Sequence, residues 1–280
     1  AFRPDIFSIF TGANAASAFP GTVIETIRHH TMKKLLPLLL GACLAAHACG
    51  DRASEKRKPV EGPLVVLTFD DATQSQRTIV APLLKKYGFG ATFYVCEFPG
   101  FENKDHYMTW EQIKELDEMG FEIGNHSRNH GAMNAQSRLQ IEQETAYIEE
   151  KCAEYGIPRP VTYAYPGCDW TEEGIDVLKE RGYRLARVCS DETFVPGQAD
   201  SMRIPGYGVV DARIEEEGWI ERTLDEARDG QVVVFFVHGV PDLAHDFVST
   251  TPENFEKLLR AIQKRGCKVI AMRDLLEYDL

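Results

Sequence analysis

Three short segments of this chain contain the residue types that hydrolysis at a metal ion requires. They are residues 68–71, 126–130 and 236–239, and each closes an apolar run of strand length. Together they supply two adjacent aspartates, two histidines four residues apart and one further histidine. Carboxylates and imidazoles bind zinc in catalytic sites, where three protein ligands leave one position for water. The combination predicts a divalent cation with an acid and a base beside it.

The aspartate pair is Asp70-Asp71, directly after the apolar run 64–69. Adjacent residues at the end of a strand point in different directions, so one carboxylate can bind a metal while the other faces a water molecule. An aspartate pair that caps the following helix is the alternative interpretation of this pattern.

The histidines have similar alternatives. His126 and His130 have a spacing that places two imidazoles on one side of a helical turn or tight loop, although histidines in a polar surface loop fit it too. His238 can deliver a proton to a departing nitrogen, since imidazole titrates near neutral pH, or it can be a buried structural side chain. We assign no role to His245.

Taken in order, the motifs resemble those of a known family. They run Thr-Phe-Asp-Asp, His-Ser-x-x-His, Tyr-Ala-Tyr-Pro-Gly and Val-His, and span most of residues 63–272. This order resembles the polysaccharide deacetylase family, carbohydrate esterase family 4, also called the NodB homology domain. The resemblance implies an α/β fold, a distorted (β/α) barrel of about seven strands in a single catalytic domain. It also implies a metal-dependent hydrolase that removes N-acetyl groups, or less commonly O-acetyl groups, from a carbohydrate polymer or oligomer.

The resemblance also implies a role for each motif residue. Asp70 matches the catalytic base, and Asp71, His126 and His130 match the ligands of one divalent ion, zinc or else cobalt or nickel. A water on that ion is the nucleophile, and His238 matches the general acid.

Further residues are expected around this centre. Ser127 matches the hydroxyl that braces the histidine loop, and the backbone N–H of Tyr165 is expected to face the oxyanion. Tyr165, Trp170 and Tyr207 are candidates for stacking on sugar rings, with core or rim packing as the alternative for all three.

The chain departs from the family pattern at two motifs. Ala164 occupies the position where the third motif commonly carries an arginine that orients the base, and residues 185–194 contain no Asp-x-x-Asp-Trp stretch. Arg187 is our candidate for the substitute guanidinium, and a structural ion pair is the alternative.

The rest of the domain must position these residues. Strand-like and helix-like segments alternate from residue 64 to residue 272, which predicts a parallel sheet with right-handed helical crossovers. In a barrel of this kind the chemistry lies where the strands end. The predicted strands include 64–69, 91–95, 161–165, 183–188, 202–209, 232–237 and 268–272.

The first sixty residues have the pattern of an exported protein. Residues 1–31 are interpreted as an upstream segment outside the natural protein, 32–48 as a signal peptide of the lipoprotein type, 49–61 as a tether and 62–280 as the catalytic domain. We expect a lipid on Cys49, with export without a lipid as the alternative. Either outcome predicts a location in the periplasm or cell envelope.

Composition excludes some partners. A formal net charge of −12 argues against nucleic acid and anionic membrane, so membrane contact is expected only through the lipid on Cys49. The expected partner is an acetylated carbohydrate. Scattered cysteines without a Cys-x-x-Cys pair argue against a disulfide framework, although a single bridge stays possible. Two alternative functions remain: hydrolysis of another amide, such as a formyl sugar or cyclic amide, and a catalytically silent carbohydrate-binding lipoprotein.

Overall fold

The computed structural model of the protein describes residues 57–280. The predicted upstream segment, signal peptide, lipid anchor and most of the tether lie outside the described residues and stay predictions. Within residues 57–280 no helix combines the length and the apolar character that crossing a membrane requires.

A sheet with only parallel pairings forms the centre of the described region. Its order is β5-β4-β3-β2-β1-β7-β6, and β8 also pairs with β1, beside the amino-terminal half of that strand. This curled sheet with its helices confirms the predicted distorted α/β barrel. The strands are β1 Leu64–Phe69, β2 Thr92–Val95, β3 Glu122–Asn125, β4 Thr162–Ala164, β5 Leu185–Arg187, β6 Tyr207–Gly208, β7 Val232–Val237 and β8 Lys268–Ile270.

Helices connect the strands and cover the sheet. Thr109 caps the helix Trp110–Glu118 in a capping box, because its side chain accepts from Gln112 N–H while its own N–H donates to Gln112 Oε1. Gly218, where φ is +74°, lies between two short helices, Asp211–Glu215 and Trp219–Asp225. The helices are α1 Ala81–Tyr87, α2 Trp110–Glu118, α3 Arg138–Glu154, α4 Glu172–Glu180, α5 Asp211–Glu215, α6 Trp219–Asp225 and α7 Pro252–Lys264.

The strand predicted over 202–209 is mostly irregular. Only Tyr207–Gly208 pairs with β7, and Ile204 makes an isolated bridge to Arg187 of β5. Pro205 separates the two contacts and has no N–H to donate, which prevents a continuous ladder. This short segment nevertheless contacts β5 through Ile204 and β7 through Tyr207–Gly208, and so connects two distant strands of the curled sheet.

One carboxylate inside the barrel has a structural role. Glu122 is 2% exposed and accepts hydrogen bonds from Thr92 Oγ1 at 2.5 Å, Thr162 Oγ1 at 2.8 Å and the N–H of Arg273 at 2.8 Å. Burial raises the pKa of this carboxyl group above its ordinary value, and the three donors offset part of that effect. Glu122 therefore ties β2, β4 and the carboxy-terminal segment together.

We expect Glu122→Leu to lower the free energy of unfolding by about 3 kcal/mol, because it leaves three buried donors without an acceptor. Denaturant titration measures the change. Glu118→Leu on the exposed face of α2 is the matched control and should change stability by less than about 0.5 kcal/mol. Equal effects of the two substitutions would contradict the role given to Glu122.

Candidate active site and metal centre

The predicted chemical residues lie together at the carboxyl ends of neighbouring strands. Asp70 follows β1, and its N–H donates to Val237 O of β7 at 2.9 Å. Asp71 N–H donates to Tyr94 O of β2 at 3.1 Å, and the histidine loop follows β3. Because parallel strands end at the same edge of a sheet, residues far apart in sequence meet there.

Asp71, His126 and His130 form a candidate metal centre. Each offers one ligand atom, and these atoms lie within 4.8 Å of one another. Asp71 Oδ1 is 3.4 Å from His126 Nε2 and 3.7 Å from His130 Nε2. One carboxylate and two imidazoles that converge from two loops are a donor set suited to zinc.

The hydrogen bonds around the centre also fit a cation. His126 Nδ1 is 2.7 Å from Ala164 O, so it can donate its ring N–H to that carbonyl and turn Nε2 toward Asp71. Ligating histidines are commonly oriented by such a bond from the second ring nitrogen. Burial and the neighbouring His126 lower the pKa of His130 to about 4, which keeps His130 in the neutral form that binds metal.

The charge of Asp71 fits as well. Burial alone would raise the pKa of its carboxyl group, but a hydrogen bond from His126 and the nearby His238 hold that pKa well below its usual value. The pKa of His126 is raised in turn: burial opposes the charged form, but Asp70 and Asp71 outweigh it. The carboxylates of Asp70 and Asp71 therefore favour a positive charge beside His126.

Asn125 holds the histidine loop, a role that the sequence analysis gave to Ser127. Asn125 Oδ1 accepts the N–H of Ser127 at 2.8 Å, and Asn125 Nδ2 donates to Thr145 O and Tyr183 OH. Ser127 and His130 both have positive φ, +59° and +53°, so this loop needs such external bonds. Ser127 is buried, and it takes part in this loop contact through its backbone N–H.

Arg187 lies against Asp70, as the departure from the family pattern led us to expect. Its Nη2 forms an ion pair with Asp70 Oδ2, and both side chains are buried. The register of β4 and β5 places Ala164 opposite Arg187, so the guanidinium comes from the strand next to the usual position. Asp70 Oδ1 has no hydrogen-bond partner within residues 57–280 and stays free to accept a proton.

Gln76, which belongs to none of the sequence motifs, connects the candidate base Asp70 to the candidate acid His238. Its Nε2 donates to the main-chain carbonyls of Asp70 and His238, the latter at 3.1 Å. His238 Nε2 is 3.8 Å from Asp71 Oδ2. The side-chain amide thus sets the spacing between the ends of β1 and β7.

A cavity of about 330 Å³ opens onto these groups. Its aromatic wall is Phe98, Phe236, His245 and Phe247, and His245 was left without a role in the sequence analysis. Sequence alone gave no signal for this wall, because the loop that carries His245 reaches the cavity only in the folded chain. The cavity is lined by Asp70, Asp71, Phe98, His126, His130, Tyr165, Gly167, Cys168, Cys189, Phe236, His238, His245, Phe247 and Val248.

Two of the three predicted stacking residues lie outside the cavity lining. The ring of Trp170 is covered by the guanidinium of Arg203, whose Cζ lies 4.7 Å from the ring centroid. Tyr207 packs near Phe235, with ring centroids 6.3 Å apart, and its OH is 3.1 Å from Thr193 Oγ1. The contacts of Trp170 and Tyr207 thus agree with packing, and stacking of either residue on a sugar ring stays a prediction.

The oxyanion role expected of Tyr165 is also incompatible with the structure. Its N–H donates to Arg187 O at 3.2 Å, and its OH donates to Met202 O at 2.9 Å, so both donors are used. Gly167, two residues on, lines the same cavity, and its N–H has no partner within the described residues. The free donor of this loop is therefore Gly167.

A single disulfide joins Cys168 to Cys189 at the edge of the cavity. The scattered cysteines predict no disulfide framework and allow a single bridge. The other described cysteines, Cys96, Cys152 and Cys267, are buried thiols.

Comparison with known proteins gives a consistent assignment. A family model described as polysaccharide deacetylase matches residues 57–186. The putative polysaccharide deacetylase YxkH of Bacillus subtilis strain 168 is 29% identical over 133 residues, 47% of this chain but only 46% of that protein. A peptidoglycan-N-acetylglucosamine deacetylase of Bacillus cereus is 24% identical over 221 residues, which cover 79% of this chain and 91% of the relative.

Solved structures share the fold. One is the Xyl-CE4 domain of a multidomain xylanase from the hindgut metagenome of Trinervitermes trinervoides. It superimposes with a TM-score of 0.54 at 17% identity, over 78% of this chain and 91% of that domain. The likeness supports the curled α/β barrel.

We expect Asp71→Ala and His126→Ala each to weaken zinc binding by more than about 100-fold, because each removes one of three converging ligands. Isothermal titration of the metal-stripped protein measures the affinity. His245→Ala is the matched control, since His245 lines the same cavity outside the three-ligand set. Zinc affinity that survives loss of Asp71 or His126 would refute the metal centre.

Proposed function

The chain belongs to the polysaccharide deacetylase family, carbohydrate esterase family 4, and we propose that it hydrolyses N-acetyl groups on a carbohydrate polymer or oligomer. The observation that carries this proposal is that Asp70, His238 and the three candidate metal ligands line one cavity. Asp70 is paired with Arg187, and His238 Nε2 lies 3.8 Å from Asp71 Oδ2. O-acetyl groups are the alternative bond at the same site.

In the proposed reaction Asp71, His126 and His130 hold one divalent cation, zinc or else cobalt or nickel. Such an ion supplies Lewis acidity and lowers the pKa of water toward about 7. The remaining chemistry belongs to the side chains around it.

Asp70 is the proposed general base. Arg187 occupies Oδ2, so Oδ1 is the oxygen that accepts the proton of the attacking water. The guanidinium also balances the charge of the carboxylate in a buried setting and fixes its orientation. The same geometry supports the role of Arg187 as substitute for the arginine missing at Ala164.

His238 is the proposed general acid. As the carbon–nitrogen bond breaks, its ring gives a proton to the departing nitrogen, and the products are acetate and a free amino sugar. The N–H of Gly167 is the proposed donor to the oxyanion, in place of the N–H of Tyr165. Each of these groups faces the cavity.

The aromatic wall is the proposed sugar-binding surface. Phe98 stacks on His130 with ring centroids 4.4 Å apart, His245 lies 5.2 Å from Phe98, and Phe247 lies 6.1 Å from His245. Phe247 is 77% exposed and lines the cavity, so its ring is available to a ligand bound there. Flat aromatic faces suit the C–H faces of a sugar ring next to the acetylated one.

We also propose that the protein is exported to the periplasm or cell envelope, with a lipid on Cys49 as its membrane contact. The amino-terminal sequence supports this location, and so does the disulfide between Cys168 and Cys189, since such bridges persist in oxidising compartments. An acetylated envelope glycan is then an accessible substrate.

The proposal is tested by acetate release from chitin-like oligomers, peptidoglycan, an exopolysaccharide and acetylated xylan, with and without chelator. We expect release from at least one glycan, abolished by the chelator. Asp70→Asn should lower kcat by roughly 10²–10⁴-fold and leave zinc affinity unchanged, because it removes a base and no ligand. Asp246→Asn, an exposed aspartate near the cavity, is the control and should retain activity.

Three outcomes of this experiment point elsewhere. Zinc binding without turnover on any acetylated glycan would favour a silent carbohydrate-binding protein. Release of formate from a formyl sugar, or opening of a cyclic amide, would move the proposal to another amide. Unchanged kcat in Asp70→Asn would refute the assigned base.

Phe247→Ala should raise the KM for an oligosaccharide by roughly tenfold and leave kcat within about twofold, since stacking binds ground state and transition state alike. Leu243→Ala tests the same loop at another exposed apolar residue, which lies outside the cavity lining. Initial-rate kinetics should show no effect of Leu243→Ala. A fall in kcat with unchanged KM in Phe247→Ala would exclude a stacking role.

A further inference from the structure

We propose that the Cys168–Cys189 disulfide positions Arg187, and through it the base Asp70, for the reaction. This inference rests on the proposed function and adds two positioning residues to it. The two cysteines are 21 residues apart, and their Cα atoms are 5.5 Å apart. Both line the cavity, so the bridge forms part of the wall of the active site.

The bridge joins two strands beyond the point where their backbone pairing ends. The last paired residues are Ala164 of β4 and Arg187 of β5, and Tyr165 N–H adds one bond to Arg187 O. The next residue of β5, Val188, donates instead to Ile204 O at 2.8 Å. The disulfide therefore connects the loop after β4 to the loop after β5 where both loops line the cavity.

The bridge also anchors the turn after β4. Gly167 and Cys168 both have left-handed backbone conformations, with φ of +59° and +64°. Glycine adopts this conformation freely, whereas a residue with a Cβ does so at a cost in free energy. Cys168 is stabilised there by its N–H, which donates to Tyr165 O at 2.9 Å, and by the bond to Cys189, so Cys168 is a fixed anchor for Cys189.

Arg187 is held by few polar contacts other than its ion pair. Its Nη1 is 3.5 Å from Cys189 Sγ, and its Cζ lies 4.5 Å from the ring centroid of Phe236. Its Nε is buried and has no hydrogen-bond partner within the described residues. The Cys189 sulfur and the Phe236 ring are therefore two of the groups that pack against the guanidinium where it faces Asp70.

Loss of the bridge should let Cys189 and the guanidinium move and leave the charges in place. A displacement of about 1 Å in a catalytic group can cost about 10²-fold in rate. The bridge is thus expected to affect kcat through Arg187 and to have little effect on KM.

A double-mutant cycle tests whether the bridge acts through Arg187. We expect Cys168→Ala/Cys189→Ala to lower kcat for acetate release by roughly tenfold with KM within twofold, and Arg187→Ala to lower kcat by roughly 100-fold. The triple variant should have the kcat of Arg187→Ala alone, because the bridge has nothing left to position. Arg187→Lys replaces Arg187→Ala in the cycle if circular dichroism shows that the alanine variant is unfolded.

The control is Cys152→Ala/Cys267→Ala, which removes two buried thiols outside the cavity and should keep the wild-type kcat. Independent multiplicative losses in the cycle, or unchanged kcat without the bridge, would overturn the proposal. Peptide mapping of the unreduced protein must also find Cys168 joined to Cys189, and its absence would overturn the proposal without any kinetic measurement. Wild-type protein that carries the bridge and binds zinc but releases no acetate would instead refute the proposed function.

Discussion

The buried ion pair between Asp70 and Arg187 is the interaction on which the proposed site depends. A carboxylate at this depth is costly without a partner, and removal of one member of a buried pair leaves an uncompensated charge. Arg187 offsets that cost and, by occupying one oxygen of Asp70, makes the two carboxylate oxygens inequivalent. Orientation and charge balance therefore come from one contact between β1 and β5.

Asp71 complements this pair. Three imidazoles face its carboxylate, from His126 and His130 on one oxygen and from His238 on the other. Two histidines and the aspartate form the candidate ligand set, and His238 lies beside it. In the proposed mechanism this arrangement separates metal binding from proton transfer, although Asp70 and Asp71 are adjacent in the chain.

Several local features could be predicted because they depend on neighbouring residues alone. The capping box at Thr109 and the apolar strand that precedes His238 are such features. The proposed role of Arg187 came from the resemblance to the family, since Ala164 stands at the usual arginine position. Other contacts could not be predicted because they need partners from distant segments: Tyr165 N–H donates to Arg187 O, and the guanidinium of Arg203 covers the ring of Trp170.

The sequence by itself determined the set of chemical groups, their order and the strands that carry them, because residue type and hydrophobic period are properties of short segments. Only the tertiary structure decided the strand order, the pairing of Cys168 with Cys189 and the aromatic wall around His245. These depend on which segments meet across the barrel. Since many distant pairings satisfy the same local pattern, the packed fold alone selects among them.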